Sequence, residues 1–192
     1  MTAVAIDLEA AVRDAVAAVN DPEYPDVSIV ELGLVESLAV ERRPDGDVAR
    51  IGLIPTFSGC PALHMIADDV RRAVESLTDV SRCEVTWLPG PVWTTSRMTP
   101  DARRRLAEEY TVVLRHDDGG LVCPVCGGHG VVDQSMSGPT RCRSVAWCPD
   151  CRNPVEVMRE TVVPRTPASA AARPSSAVVG TTTSVIPVEV RR

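Results

Sequence analysis

The sequence predicts an α+β domain with the element order α-β-β-α-β, followed by a four-cysteine zinc ribbon and a disordered tail. Amphipathic segments at helical spacing flank a pair of apolar β segments, and two Cys-x-x-Cys pairs lie near the end of the chain. We expect the α+β domain at residues 1–98, a helix and linker at 99–119, the ribbon at 120–160 and the tail at 161–192. The tail follows from a stretch of Pro, Ser, Thr and Ala with few large apolar groups.

The first helix and a hairpin open the domain. Apolar side chains recur at helical spacing over residues 7–19, and Asn20-Asp21-Pro22 ends that helix. Residues 34–41 and 48–55 are rich in Val, Leu and Ile and flank the turn cluster Pro44-Asp45-Gly46-Asp47. This arrangement predicts two antiparallel strands.

A second helix, a third strand and a polar helix complete the elements. Leu63, Ile66, Val70, Val74 and Leu77 recur on one face, with charged residues mostly on the other. Alternation at residues 83–87 then predicts a strand that buries Cys83. Thr99-Pro100 has the pattern of an N-cap followed by Pro at the first helical position, which starts a helix through about Tyr110.

Length and composition bound the class of protein. A chain of 192 residues with 44% apolar content can bury one ordinary core and a small appendage. The N-terminus turns acidic at Asp7 where a signal peptide needs an apolar run, and no later run reaches membrane-spanning length. We therefore expect a cytoplasmic protein without membrane partners. Seven cysteines in this setting favour metal binding and free thiols over disulfides.

The charge pattern excludes several functions. All 20 basic residues are arginine, which rules out a lysine Schiff base and a complete Walker phosphate loop. Residues 1–80 carry 15 acidic and 6 basic side chains, and aromatic residues make up only 3% of the chain. Nucleic-acid binding lacks both its basic footprint and its stacking groups, so we expect no nucleic-acid partner.

The clearest chemical motif is a cysteine quartet formed by two Cys-Pro-x-Cys pairs. The pairs are separated by 21 residues, long enough for a short hairpin, and Gly127-Gly128 lets the chain turn after the first. This spacing predicts a tetrahedral zinc site, and a closed shell of four sulfurs favours a structural role. Four unrelated free thiols are an improbable alternative. The predicted ligands are Cys123, Cys126, Cys148 and Cys151.

A second candidate site lies where the second strand ends and the second helix begins. Pro61 suits the first helical position, which places Cys60 at the cap, where free N–H groups and the helix dipole favour a thiolate. Thr56 and Ser58 offer hydroxyls nearby, and His64 lies one helical turn further on. The alternative is that Cys60 is only a small buried group and His64 an ordinary surface histidine.

Three ordered segments resemble the small iron-sulfur-assembly domain of SufT-type proteins. They are Asp21-Pro22-Glu23, the stretch from Ser28 to Val35, and Pro55-Thr56-Phe57-Ser58-Gly59-Cys60-Pro61. Pro91-Val92-Trp93-Thr94-Thr95 and the ribbon resemble PaaD-type proteins, accessory subunits encoded with the bacterial phenylacetyl-CoA epoxidase. In that family a further cysteine precedes the second Cys pair, and Cys142 matches it.

The resemblance implies a non-catalytic role in metal-centre maturation. Cys60 is then the transfer ligand for iron or an iron-sulfur cluster, with His64, Thr56, Ser58, Asp21 and Glu23 as supporting residues. Cys142 is a candidate additional ligand, and replacement of a knuckle ligand, a second metal and simple burial all stay open for it. Two departures are Glu31 in place of Asp and His64 in place of an acidic residue.

The implied partners are the oxygenase and reductase subunits of the epoxidase, and a homodimer with paired Cys60 residues stays open. Two other functions are compatible with the residues. One is a general iron-sulfur carrier unconnected to aromatic catabolism. The other is a rubredoxin-like electron carrier, with iron held by the ribbon cysteines.

Overall fold

The computed structural model describes residues 7–116 and 118–159, and its elements follow the predicted α+β order. The predicted tail at 161–192 lies outside the described residues. Across the described ranges, no helix combines the length and the apolar character needed to cross a bilayer.

The N-terminal domain is built on a three-stranded sheet. Its strands lie in the order β3-β4-β5, with β3 and β4 forming the predicted antiparallel hairpin and β5 running parallel to β4. The helix between β4 and β5 makes the crossover that parallel strands require. The elements are α1 (Leu8–Ala17), β1 (Asn20–Asp21), β2 (Tyr24–Ser28), β3 (Val35–Glu41), β4 (Asp47–Leu53), α2 (Ala62–Glu75) and β5 (Val80–Trp87).

Two features of this domain differ from the prediction. Strands β1 and β2 pair with each other in a small separate sheet that the sequence pattern did not predict. Strand β1 has two residues and β2 contains Pro25, so neither shows the alternation that marks a strand. Strand β5 also begins at Val80, earlier than the predicted residue 83. The prediction missed these first residues because Ser81 and Arg82 are exposed and interrupt the apolar pattern.

The loop between β2 and β3 is fixed by buried contacts. The Trp93 side chain is 1% exposed, and its indole N–H donates a hydrogen bond to the Leu32 carbonyl at 2.8 Å. Gly33 has φ +70°, and a Cβ atom there would lie 2.5 Å from the Arg97 carbonyl oxygen. Glycine is therefore required at the point where this loop meets the segment that follows β5.

The C-terminal part consists of a helix and a four-stranded sheet. Helix α3 (Pro100–Glu108) begins as predicted, with the Thr99 hydroxyl accepting the Ala102 N–H at 3.2 Å. The sheet has the order β6-β9-β8-β7. Its strands are β6 (Val112–Val113), β7 (Val132–Ser135), β8 (Arg143–Trp147) and β9 (Pro154–Met158). The sheet thus includes β6, which the sequence analysis assigned to the linker, because a strand of two residues carries no readable period.

Tyr24 joins the ribbon to the N-terminal domain. Its side chain is 1% exposed, its ring packs edge-on against Tyr110 with centroids 5.1 Å apart, and its hydroxyl accepts a hydrogen bond from Arg143 Nε at 3.2 Å. The same hydroxyl lies 3.8 Å from Met158 Sδ. Met158 and Val112 belong to the apolar core of the N-terminal domain although both lie on ribbon strands. The two parts therefore share one packed interior.

Candidate metal-handling sites

The four predicted ribbon cysteines converge on one point. Cys123 Sγ lies 3.6 Å from Cys151 Sγ, and Cys126 Sγ lies 3.6 Å from Cys148 Sγ. All four sulfurs lie within 4.8 Å of one another. A tetrahedral zinc ion with bonds of about 2.3 Å requires sulfurs about 3.8 Å apart, so the donor set and its spacing fit zinc.

The two knuckles use the same backbone turn. The Cys123 carbonyl accepts the Gly127 N–H and the Cys148 carbonyl accepts the Arg152 N–H, each at 2.9 Å. The residue that closes each turn is left-handed, with φ +72° at Gly127 and +59° at Arg152. Each turn points its two sulfurs toward the other pair. The sequence repeat Cys-Pro-x-Cys thus produces a structural repeat, although only the first knuckle has glycine at its strained position.

This metal-binding site also forms part of the ribbon core. Cys123 and Cys148 are 1% and 0% exposed, and they cluster with buried side chains of β6, β8 and β9. Four thiolate ligands leave no open coordination position for a substrate. A donor set of this kind is typical of structural zinc sites.

Cys60 lies in a tight turn one residue before Pro61, which has helical angles and directly precedes α2. The Cys60 N–H donates to the Phe57 carbonyl at 3.1 Å, and the side chain is half-buried. The N-cap of α2 is Pro61, one residue later than predicted, so Cys60 directly precedes the cap and still lies at the helix start.

The pKa of Cys60 is raised, which corrects the expectation that the helix start makes it a thiolate. Burial is the largest cause, and the negative charges of Glu23 and Asp21 act in the same direction. Hydrogen bonds from the N–H groups of Ala62 and Leu63 lower the pKa but do not outweigh these effects. A cation bound at the Cys60 sulfur would lower the pKa of the thiol, because it would stabilise the thiolate.

The Cys60 side chain lines a cleft of about 470 Å³ between the start of α2 and the end of β5. His64 and Ser58 line the same cleft, whereas Thr56, which is half-buried, does not. The remaining walls are mainly apolar. They are formed by Pro55, Gly59, Pro61, Leu63, Trp87, Leu88 and Pro89.

The charges of Asp21 and Glu23 act on Cys60, since both raise the pKa of its thiol. The turn between β1 and β2 fixes these two residues relative to each other, since Asp21 Oδ1 accepts the Glu23 N–H at 2.8 Å. Burial raises the pKa of Asp21 to about 6. The other acidic residue of the motif, Glu31, acts elsewhere, because its carboxylate accepts the Ser28 N–H at 2.9 Å and pairs with Arg105. Glu31 is thus occupied in holding the loop after β2.

Cys142 is not part of the ribbon site. It is 4% exposed on the turn before β8, and its thiol donates a hydrogen bond to the Glu23 carboxylate. The Thr140 hydroxyl lies 3.1 Å from the same sulfur. In the sequence, only the resemblance to a family pattern marks Cys142, and no local signal links it to Glu23.

These features define a class of protein: a small α+β domain with an accessible cysteine, packed against a four-cysteine metal-binding ribbon. Residues 9–87 match the family model described as iron-sulfur cluster assembly protein, and residues 107–159 match the PaaD zinc beta ribbon domain. The chain belongs to the PaaD family of iron-sulfur cluster assembly proteins. The resemblance inferred from the sequence motifs is thereby confirmed.

Several curated proteins are similar to this chain. It is 33% identical over 148 residues to an Escherichia coli protein provisionally named as one of the subunits of 1,2-phenylacetyl-CoA epoxidase, a match that covers 73% of this chain and 86% of the relative. It is 36% identical to the Fe-S protein maturation auxiliary factor YitW of Bacillus subtilis, over 44% of this chain and 79% of that protein. An iron-sulfur cluster carrier protein of Mycobacterium bovis is 39% identical over 42% of this chain and 20% of its own length.

Proposed function

We propose that this protein matures a multicomponent phenylacetyl-CoA epoxidase by assembling or inserting an iron-sulfur cluster or a di-iron centre. In this proposal Cys60 is the transfer ligand and the protein turns over no substrate of its own. The oxygenase and reductase subunits of the epoxidase are its partners, and the cytoplasm is its location. Family membership supports the iron-sulfur assembly role, and the name of the Escherichia coli relative supports the epoxidase as the client.

The observation that carries the proposal is that Cys60 lines an open cleft of the N-terminal domain and responds to the charges of two carboxylates. The thiol is half-buried and reachable, whereas Cys83 and Cys142 are each 4% exposed. An accessible thiolate is a good ligand for soft and borderline metals. A single such ligand also binds weakly enough to release its cargo to a client.

The apolar walls of the cleft support contact with a client protein. Leu63, Trp87 and Leu88 surround the approach to Cys60, and Met65 on the first turns of α2 is 57% exposed. Apolar surface around a polar reactive group is typical of binding sites. A client segment that entered here would bring its own ligands next to the Cys60 sulfur.

The test is to co-express the client oxygenase and reductase with wild-type protein, with Cys60→Ala or with Cys83→Ala. We expect Cys60→Ala to reduce the iron content of the client to the level reached without this protein, and epoxidase activity to fall with it. Cys83→Ala is the matched control, because Cys83 is a free cysteine buried in the core of the same domain. Full iron occupancy with Cys60→Ala would overturn the role of Cys60 as transfer ligand.

A second candidate is a general iron-sulfur carrier, which the names of the Bacillus and Mycobacterium relatives favour. Deletion of the gene separates the two functions. The dedicated role predicts iron loss confined to the epoxidase subunits. Equal iron loss from unrelated iron-sulfur enzymes of the same cell would favour the general carrier.

A further inference from the structure

The Phe57 side chain is central to the turn that carries Cys60. The Phe57 carbonyl accepts the Cys60 N–H at 3.1 Å, which closes the turn. Gly59 packs so closely on the ring that an added Cβ atom would lie 2.7 Å from Phe57 Cε1. The Arg159 guanidinium lies over the same ring, 4.1 Å from its centroid. The conformation of the Cys60 turn is therefore linked to one aromatic side chain and to the arginine that covers it.

Arg159 reaches this ring from the ribbon. It directly follows β9, and its backbone N–H donates to the Cys142 carbonyl at 2.8 Å, at the open end of the β8–β9 hairpin. Its Nη1 donates to the Arg141 carbonyl at 3.1 Å. The closed end of the same hairpin is the second cysteine knuckle. The hairpin thus connects the metal-binding quartet at one end to the Phe57 contact at the other.

The hydrogen bonds of Arg159 do not by themselves explain where its side chain lies. Its Nε is buried and has no hydrogen-bond partner in the part of the chain that the structure describes, and such a group costs free energy. A planar guanidinium stacked on an aromatic ring gains cation–π attraction, which is stronger when the pair is shielded from water. Arg159 and Phe57 are both half-buried. The contact with the ring therefore accounts for the position of the guanidinium.

We propose that Arg159 is a positioning residue for the transfer cysteine: by holding the Phe57 ring, it keeps the Cys60 turn closed. This inference rests on the proposed function, in which Cys60 receives and releases metal. Arg159 acts through Phe57 and is not itself a ligand. A sulfur on a fixed turn meets an incoming ligand in one geometry, whereas a turn that opens must be ordered again in each transfer. The ribbon thereby contributes to the transfer site from the other domain.

Hydrogen exchange of the Cys60 amide, followed by NMR on protein whose ribbon is saturated with zinc, tests the closed turn directly. Arg159→Ala should accelerate this exchange by roughly twofold to thirtyfold, the factor that corresponds to loss of a cation–π contact, because the turn opens more easily. Arg141→Ala is the matched control. Arg141 is exposed and contacts Arg159 through its carbonyl, so this variant removes the same charge and should exchange like wild type.

Variants of the ring test whether Arg159 acts through Phe57. Phe57→Leu should accelerate exchange as Arg159→Ala does, and the double variant should add nothing, since both changes remove the same contact. Phe57→Tyr keeps the ring and should retain wild-type protection. Acceleration by the double variant that equals the product of the two single effects would overturn the proposal. If Arg159→Ala fails to fold, Arg159→Lys decides, because it keeps the charge and stacks less well: faster exchange supports the contact, and unchanged exchange refutes it.

A positioning role differs from a general stabilising role in where protection is lost. Exchange of the amides in α1 should stay at the wild-type rate in Arg159→Ala, because the effect is confined to the Cys60 turn. An equal loss of protection in α1 would show that Arg159 only stabilises the fold. The iron content of a co-expressed client should also fall at least about twofold with Arg159→Ala and stay normal with Phe57→Tyr. Full client iron despite a loosened turn would overturn the positioning role.

Failure of this inference is distinguishable from failure of the proposed function. The exchange measurements need no client, so unchanged exchange in Arg159→Ala would refute positioning and leave Cys60 as the transfer ligand. Normal client iron with Cys60→Ala would refute the proposed function, and the inference that rests on it, even where the exchange data show that Arg159 orders the turn.

Discussion

The Cys142 thiol donates a hydrogen bond to the Glu23 carboxylate across 119 positions of sequence. This contact joins the turn before β8 to the turn between β1 and β2. Together with the hydrogen bond from Arg143 to the Tyr24 hydroxyl, it ties the ribbon directly to the N-terminal domain.

The ribbon should contain zinc and depend on it. We expect one zinc ion per chain in purified protein, no visible colour, and loss of both zinc and ribbon structure in Cys148→Ser, because Cys148 is a ligand and part of the ribbon core. Structural zinc contributes on the order of 10 kcal/mol to the folding of such modules. Elemental analysis and thermal unfolding check this. A red protein with iron in the quartet would instead indicate a rubredoxin-like electron carrier.

Gly33→Ala should destabilise the protein by roughly 2–5 kcal/mol. Alanine at a left-handed φ costs about 1–2 kcal/mol, and its Cβ would overlap the backbone of Arg97. Urea unfolding of zinc-saturated protein measures the loss. Gly119→Ala is the control, since φ is +83° there but no atom lies within 4 Å of the added Cβ. Equal losses for the two variants would show that the contact with Arg97 contributes nothing.

Tyr24→Phe should loosen the junction between the domains. The variant removes the hydroxyl that accepts the Arg143 Nε–H, and a hydrogen bond to a charged group contributes about 1–3 kcal/mol. We expect a fall of that size in the free energy of unfolding. Tyr110→Phe is the matched control, because it retains the edge-on ring contact with Tyr24. A Tyr24→Phe variant as stable as Tyr110→Phe would contradict the prediction.

Asp21→Asn should stabilise the folded protein in a pH-dependent way. The pKa of Asp21 in the folded protein is about 6, above its ordinary value of 3.8, so the folded state binds the proton more tightly than the unfolded state. Wild-type stability therefore falls as pH rises through this interval. At pH 8 the variant should be more stable by about 1–3 kcal/mol, and the gain should shrink as pH falls toward 4.

Unfolding of zinc-saturated Asp21→Asn at pH 8 and pH 5.5 measures this dependence. The asparagine oxygen can still accept the Glu23 N–H, so the turn is preserved. Asp14→Asn, at an exposed position on α1, serves as the control. A gain that is identical at the two pH values would mean that the buried charge of Asp21 is not its cause.

Much of the fold was predictable because its signals are local. The 3.6-residue period of α2, the turn cluster between β3 and β4, and the Thr99-Pro100 cap each act within a few residues, and the structure contains all three. The short strands β1 and β6 were not predictable. They are held by pairing with distant segments and have too few residues to show a period.

The candidate sites also contain features that local sequence predicts and features that only packing determines. Spacing alone identified the cysteine quartet, and the position of Cys60 before a helix was also correct. The expectation that Cys60 is a thiolate was wrong. The pKa of its thiol is raised by burial and by the charges of Glu23 and Asp21, and these effects arise from packing. Likewise, no local pattern indicates that Glu31 pairs with Arg105.

The sequence by itself determined the helices, the hairpin, the metal-binding quartet and membership of the PaaD family, since each depends on residues that are close in the chain or ordered along it. Only the tertiary structure decided that Cys142 of the ribbon contacts Glu23 of the N-terminal domain. That meeting requires the ribbon to pack through Tyr24 onto the N-terminal domain, and packing of two preformed surfaces is set by shape and burial over long range. No spacing rule encodes it.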